Sequence, residues 1–166
     1  GVRAGNFFQA DPGINQAMGA AVVDAAGALR GKRLVDLHGG AGNFGLALAA
    51  RGADVTIAEV DPLALEDLAR NAKRFRGRGK VYVAEMPAAQ ALSRQARRGE
   101  VAVAIFDAPR GGDREGAEAV AKHRPTRVIA FGCDPATFAR DLKIMGLGEG
   151  YSLARLGLWD AFPGTH

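Results

Sequence analysis

Short apolar runs rich in β-branched residues alternate along this chain with longer stretches of helical spacing. Six runs are predicted as strands: Arg33–Leu37, Asp54–Glu59, Lys80–Ala84, Val101–Asp107, Arg127–Gly132 and Tyr151–Leu158. The first five are almost entirely apolar, which is typical of parallel strands that are covered on both faces. The alternation predicts an α/β fold with a doubly wound, Rossmann-like parallel sheet and helices on both faces.

Three of the intervening helices are predicted to begin with the same signal, an aspartate followed by proline. The aspartate caps free backbone N–H groups, and proline suits the first helical position. These starts are Asp11-Pro12, Asp61-Pro62 and Asp134-Pro135. Weaker helical patterns cover Ala88–Arg98 and Asp113–Lys122.

Composition limits the class of protein. The chain has 166 residues, 48% of them hydrophobic and 24% charged, which is ordinary for one globular domain. No apolar run approaches the roughly 20 residues that cross a bilayer. One cysteine excludes an internal disulfide framework and any cysteine-only metal site, so the sequence predicts a cytoplasmic domain without metal.

The net charge of +4 is compatible with a polyanionic partner but does not require one. Basic residues form two clusters: Lys73, Arg74, Arg76, Arg78 and Lys80 in the first, and Arg94, Arg97 and Arg98 in the second. A solvated helix end explains the second cluster best.

A glycine-rich turn follows the first predicted strand, in the run from Asp36 to Gly45. Glycines at the carboxyl end of such a strand let the backbone approach a ligand, and Glu59 at the next strand tip suits the hydroxyls of a ribose. Gly40, Gly42 and Gly45 also satisfy a dinucleotide fingerprint. Asp36, however, would repel a pyrophosphate and attract the ammonium of a methionine group. S-adenosylmethionine is therefore favoured, with a dinucleotide, or glycines that only turn the chain, as alternatives.

The single cysteine, Cys133, lies between the fifth predicted strand and the Asp134-Pro135 helix start. A lone cysteine is often a small buried apolar residue. At this position its sulfur would face the ligand edge of the sheet beside a helix N-terminus, which favours the thiolate. The negative charge of Asp134 opposes that effect, so a reactive and a structural role both remain open.

Several segments together resemble the RNA uracil-5-methyltransferases, which form 5-methyluridine in transfer or ribosomal RNA. The similar segments, in chain order, are Asn6–Asp11, Asp36–Phe44, Glu59, Asp107–Gly112, Gly132–Asp141 and Asp160–His166. They cover nearly the whole chain. The resemblance implies a class I methyltransferase domain that uses S-adenosylmethionine and acts on tRNA or rRNA.

The resemblance also implies roles for individual residues. Cys133 would be the nucleophile that attacks C6 of uracil, so that C5 can accept a methyl group. The residues implied to hold the methyl donor, together with Asp36, are Gln9, His38, Gly40, Asn43, Glu59 and Asp107. Arg110 and Arg140 are candidates for contact with phosphate or pyrimidine, and a surface salt bridge is an equal alternative for Arg140.

The chain departs from the family pattern at several positions. Asp11 and Asp134 stand where the family usually has asparagine, His38 replaces phenylalanine, and Gly39 replaces cysteine. Met86 lies near an expected polar contact with adenine. The family's glutamate base would fall just past His166, and its RNA-binding β-barrel precedes this domain.

These departures lead us to expect a fragment that lacks the barrel and the last strand. Such a fragment would bind the donor but turn over poorly. The alternatives are a methyltransferase of another substrate, in which Cys133 is structural, and a non-catalytic module that binds RNA or a partner.

Overall fold

The computed structural model describes residues 12–160. Its five parallel strands are β1 (Arg33–Asp36), β2 (Asp54–Glu59), β3 (Val81–Glu85), β4 (Val103–Asp107) and β5 (Arg127–Phe131). Its helices are α1 (Pro12–Ala26), α2 (Asn43–Ala50), α3 (Pro62–Arg74), α4 (Ala88–Ala96), α5 (Arg114–His123) and α6 (Pro135–Met145). The strand order is β3-β2-β1-β4-β5, so the chain moves outward from β1 first in one direction and then in the other. This confirms the predicted doubly wound α/β fold.

Each face of the sheet is covered by three helices. Alternate residues of a strand point to opposite faces, so Leu34 packs with α1, α2 and α3 while Val35 packs with α4, α5 and α6. Helix α1 contributes Met18 and Val22 to the packing around Leu34. The central strands β1, β2 and β4 are buried on both sides as a result.

The aspartate–proline signals mark true helix starts. The Asp61 side chain accepts a hydrogen bond from the Ala64 N–H of α3 at 2.8 Å, and Asp134 accepts one from the Thr137 N–H of α6 at 2.8 Å. Helix α1 begins at Pro12 as predicted, while Asp11 lies outside the described residues.

The prediction of a sixth strand at Tyr151–Leu158 is wrong. Tyr151 makes one isolated bridge to Leu147, and residues 152–160 have no regular structure. A strand forms only where a neighbour pairs with its backbone groups, and within residues 12–160 nothing pairs with the outer edge of β5. An apolar run alone therefore did not predict a strand correctly.

Edge strand β3 is more exposed than its apolar sequence suggested, with Tyr82 47% and Val83 42% accessible. Over residues 12–160, every helix is too short or too polar to serve as a membrane span.

Candidate functional site

The carboxyl ends of the strands meet at one edge of the sheet, which we call the carboxyl rim. Asp36 ends β1, Glu59 ends β2, Asp107 ends β4, and Cys133 follows β5. Strand β1 lies between β2 and β4, so the order reverses there, and a crevice at such a reversal is the usual ligand site of an open α/β sheet.

Asp36 is the buried acid of this rim, with 1% of its surface accessible. Its Oδ2 accepts a hydrogen bond from the Gly45 N–H at 2.9 Å, whereas its Oδ1 is buried without a partner in the described part of the chain. Burial, followed by the negative charge of Asp107, raises the pKa of Asp36 to about 7. Asp36 is therefore close to half protonated at neutral pH.

His38 lies among the other acids of the rim. Its Nε2 is 3.1 Å from Asp113 Oδ2, within ion-pair distance, although the two groups are not aligned as a hydrogen bond. The contact with His38 is the main cause that lowers the pKa of Asp113. The pKa of Asp107 is raised, because surrounding protein removes water from its carboxylate even though the side chain stays exposed. Of these three acids, Asp113 therefore loses its proton more readily than usual, whereas Asp36 and Asp107 hold theirs more tightly.

Glu59 joins the tip of β2 to the glycine-rich turn. Its Oε2 accepts a hydrogen bond from the Gly40 N–H at 2.9 Å, and its Oε1 accepts from the N–H groups of Val60 at 2.7 Å and Asp61 at 2.8 Å. Gly40 has φ 53°, a left-handed conformation that favours glycine. A carboxylate has about four acceptor positions, so one remains for a ligand.

Two asparagine contacts hold the turn from the flanking helices. Asn43, at the start of α2, donates from Nδ2 to Asn15 Oδ1 at 2.7 Å and accepts from Asn15 Nδ2 at 3.2 Å. Asn71 of α3 donates to the Ala41 carbonyl at 2.9 Å. The turn is therefore fixed on three sides, by α1, by α3 and by Glu59.

Cys133 is exposed at the carboxyl rim. It lines a small pocket with Phe106 and Pro109 from the β4 side and with Phe138 of α6. The neighbouring Asp134 caps α6, and its hydrogen bonds with the Thr137 N–H and hydroxyl lower its pKa, which keeps it negative. The thiol thus has apolar neighbours in the pocket, and the next residue in the chain carries a negative charge.

The two predicted substrate arginines differ in their surroundings. The Arg110 side chain is exposed in the loop after β4. Arg140 donates to Asp141 Oδ1 from Nε at 2.9 Å and from Nη2 at 2.7 Å, and to the Gly111 carbonyl at 3.0 Å. Arg140 therefore occupies the salt bridge that we gave as its alternative role, and a substrate contact by either arginine stays a prediction.

Sequence analysis missed two acids that shape this site. Asp141 is 1% accessible and accepts the Asp113 N–H at Oδ2, 2.9 Å away, so it fixes the loop between β4 and α5. Asp113 caps α5 by accepting the Gly116 N–H at 2.9 Å and faces His38. An acid immediately before a predicted helix was the signal for Asp113, whereas only the fold shows that Asp141 points inward.

The carboxyl rim and the loops beside it bring together nine of the ten predicted site residues. Gln9 lies outside the described residues. No group of three or more histidine, cysteine or acidic side chains within residues 12–160 is arranged to hold a metal ion. A larger cavity, of about 540 Å³, lies at the opposite edge of the sheet, near Arg51 and Arg78.

The architecture is that of the class I methyltransferases. In solved structures it is similar to magnesium protoporphyrin IX methyltransferase from Synechocystis, with TM-score 0.59, 18% identity and coverage of 86% of this chain and 70% of that one. The chain belongs to the family described as Conserved hypothetical protein 95, whose model matches residues 12–123.

Closer relatives act on uracil in RNA. The chain is 35% identical to 23S rRNA (uracil(1939)-C(5))-methyltransferase RlmD from Shewanella halifaxensis over 98% of its own length and 36% of the relative. It is 25% identical to the Pyrococcus abyssi tRNA (uracil-54, C5)-methyltransferase, solved with S-adenosyl-L-homocysteine, at TM-score 0.66 over 86% of this chain and 34% of that one. The chain thus spans about a third of the length of these relatives. The resemblance to RNA uracil-5-methyltransferases is confirmed.

Proposed function

We propose that this chain is the catalytic domain of an RNA uracil-5-methyltransferase. It would bind S-adenosylmethionine at the carboxyl rim and a uridine of ribosomal or transfer RNA beside Cys133. The observation that carries the proposal is the placement of Cys133 on the same rim as Asp36, Glu59 and Asp107, across the point where strand order reverses.

The residues of the rim suit the methyl donor. Asp36 Oδ1 is a buried acceptor without a partner in the described chain, and a carboxylate in that state favours a cationic group such as the donor's ammonium. Glu59 has one acceptor position left for a ribose hydroxyl. When bound, S-adenosylmethionine supplies an electrophilic methyl group on its sulfonium.

The donor pocket would include the other residues predicted for it. The backbone of His38 and Gly40 forms part of the glycine-rich turn, and Asn43 is the first residue of α2. Asp107 lies at the tip of β4, between the donor side of the rim and Cys133. Gln9 remains a predicted donor contact.

Cys133 would act as the nucleophile. Its thiolate adds to C6 of the uracil ring, which forms a carbon–sulfur bond and moves the electron pair of the C5–C6 double bond into an enolate. C5 then accepts the methyl group. Loss of the C5 proton to a base re-forms the double bond and expels the thiolate, so the cysteine is regenerated.

Apolar side chains lie beside Cys133, where the uracil ring would bind. Pro109 and Phe138 line the small pocket next to the thiol, and unstacked bases in RNA recognition usually lie against such side chains. Arg110 is placed in the loop beside Pro109, where its guanidinium can meet a phosphate of the same nucleotide. Arg140 would act by keeping that loop in position through Gly111 and Asp141.

The test is to trap the covalent adduct. The chain is incubated with S-adenosylmethionine and RNA that carries 5-fluorouridine, whose C5 fluorine cannot leave as a proton, so the enzyme stays attached. We expect an adduct that resists denaturation and maps to Cys133 by mass spectrometry. Because the chain has one cysteine, the Cys133→Ala variant is the control and should give no adduct while still binding S-adenosylhomocysteine. An adduct on another residue, or methylated RNA from the alanine variant, would exclude this mechanism.

A further inference from the structure

The edge of the sheet opposite the carboxyl rim carries exposed cations that methyl transfer does not use. They come from the loops that precede β1, β2 and β3, and we call them the basic rim: Arg30, Lys32, Arg51, Arg78 and Lys80. The ion pairs found within residues 12–160 include none of these five side chains. Their charge is therefore available to a partner. The first basic cluster of the sequence supplies two of them.

Backbone contacts hold the three loops against one another. The Gly31 N–H donates to the Gly52 carbonyl at 3.0 Å, and the Gly79 N–H donates to the Ala49 carbonyl at 2.9 Å. A Cβ atom added to Gly52 would lie 3.6 Å from the Cα atom of Arg30, so these two loops are in van der Waals contact. The five cations thus belong to one continuous surface, although they lie up to 50 residues apart in the chain.

Two of the cations border the large cavity. Arg51 and Arg78 line it together with Val23, Leu29 and Ala50, and its volume is about 540 Å³. The two guanidinium groups dominate its accessible surface, and the planar guanidinium fork suits the oxygens of a phosphate.

Three acids lie near the basic rim, Asp24, Asp54 and Glu100, and Glu100 accepts the Thr126 hydroxyl at 2.8 Å. Asp54 accepts the Lys80 N–H at 3.1 Å, and Asp24 is paired with Arg155 at 2.9 Å. The carboxyl rim, by contrast, ends in acidic side chains. Cations therefore outnumber acids at this edge, and the net charge of +4 is unevenly distributed between the two edges of the sheet.

We propose that the basic rim binds the phosphodiester backbone of RNA at a surface separate from the transfer site. The inference rests on the proposed function, since the RNA in question is the methylation substrate. Strand β2 has 6 residues, which at about 3.3 Å per residue separates the two edges by about 20 Å. At about 3.4 Å per nucleotide, the rise of one strand in a stacked helix, a segment of roughly six nucleotides bridges that distance.

The test compares two double variants with the same change in charge. Arg51→Glu with Arg78→Glu alters the basic rim, and the matched control, Arg94→Glu with Lys122→Glu, alters exposed side chains of α4 and α5 on the opposite face of the sheet from the cavity. Binding of a fluorescein-labelled single-stranded RNA of about 20 nucleotides is followed by anisotropy over a range of KCl concentrations. Binding of S-adenosylhomocysteine and the thermal midpoint report whether each variant is folded.

Loss of two phosphate contacts should lower the slope of log K against log salt by about 1.4 and weaken binding at 0.1 M salt by about 25-fold. We expect this in the basic-rim variant and less than about threefold weakening in the control. Equal weakening of both variants, or of neither, overturns the proposal. A basic-rim variant that keeps its RNA affinity but no longer binds polyglutamate would assign the surface to an acidic protein instead.

The adduct experiment keeps the two proposals apart. If wild-type chain forms no adduct with 5-fluorouridine RNA but loses RNA affinity on basic-rim substitution, the proposed chemistry fails and the RNA surface stands. In the opposite case, the basic-rim variant forms the adduct and keeps its RNA affinity, and Cys133→Ala also binds RNA as tightly as wild type. The proposed RNA-binding surface is then wrong, whereas the proposed chemistry stands.

Discussion

Replacing Asp36 by asparagine should change how the stability of this domain depends on pH. The pKa of Asp36 is about 7 in the folded chain, against 3.8 as its ordinary value. Between these two pH values the folded state holds a proton that the unfolded state has released. Stability from this group is therefore fully present below about pH 3.8 and is lost as pH rises through about 7. The change is about 3 pH units at about 1.4 kcal/mol each, or about 4 kcal/mol.

Asparagine keeps an oxygen to accept the Gly45 N–H but cannot ionise, so the variant should lack this loss. Other carboxylates, such as Asp113 with its lowered pKa, contribute in the opposite direction. The useful quantity is therefore the difference between Asp36→Asn and wild type in free energy of unfolding, measured by urea denaturation. That difference should move by about 4 kcal/mol in favour of the variant from about pH 4 to about pH 8.

An exposed acid provides the matched control. Asp24 is surface-exposed, and Asp24→Asn should shift the same difference by less than about 1 kcal/mol. Parallel pH profiles for Asp36→Asn and wild type would refute the reasoning, because they would mean that Asp36 ionises in the folded chain as readily as in water. A profile that shifts in the opposite direction would mean that ionised Asp36 stabilises the fold.

Three further predictions concern the turn, the loop after β4 and the thiol. Gly39→Ala should lower the free energy of unfolding by about 1–3 kcal/mol in urea denaturation, because the new Cβ would lie 2.1 Å from a β2 side chain. Asp141→Ala should cost about 2–3 kcal/mol in the same assay, since a buried carboxylate that accepts from an arginine and a backbone N–H is removed. Asp134→Asn keeps the helix cap but removes a negative charge beside Cys133, so alkylation of the thiol by iodoacetamide should be faster, by up to about fivefold.

Matched variants isolate the stated causes. Gly111→Ala adds a Cβ where nothing lies within 4 Å and should be nearly neutral. Asp61→Asn alters the equivalent cap of α3 and should leave alkylation of Cys133 unchanged. A destabilised Gly111 variant, or equal acceleration by both cap variants, would contradict the explanations for Gly39 and Asp134. An Asp141→Ala chain as stable as wild type would show that its hydrogen bonds contribute nothing net.

The elements that sequence predicted well are those set by neighbouring residues. Asp61-Pro62 and Asp134-Pro135 start helices because the cap, the proline and the first turn all lie within four residues. The strand tips that carry Asp36 and Glu59 were predicted because a parallel sheet puts the ends of its strands on one edge.

The features that sequence missed depend on distant pairing. The run Tyr151–Leu158 was predicted as a strand, yet a strand also needs a partner, which no pattern within that segment reveals. The Asp141 side chain points inward because it accepts the N–H of Asp113, which lies 28 residues earlier in the chain. The Gly40 N–H likewise donates to Glu59, which lies 19 residues later. The exposure of Tyr82 follows from the edge position of β3, which only the strand order determines.

The hydrogen bond between Gly40 and Glu59 has a consequence for the speed of ligand capture. The turn already has its final curvature, held from α1, α3 and β2, so its loss of conformational entropy occurs during folding. An arriving adenosyl group therefore meets a rigid receptor and spends none of its affinity on ordering that segment. Its association should be governed by diffusion and by the local electric field, without a slow conformational phase in stopped-flow records.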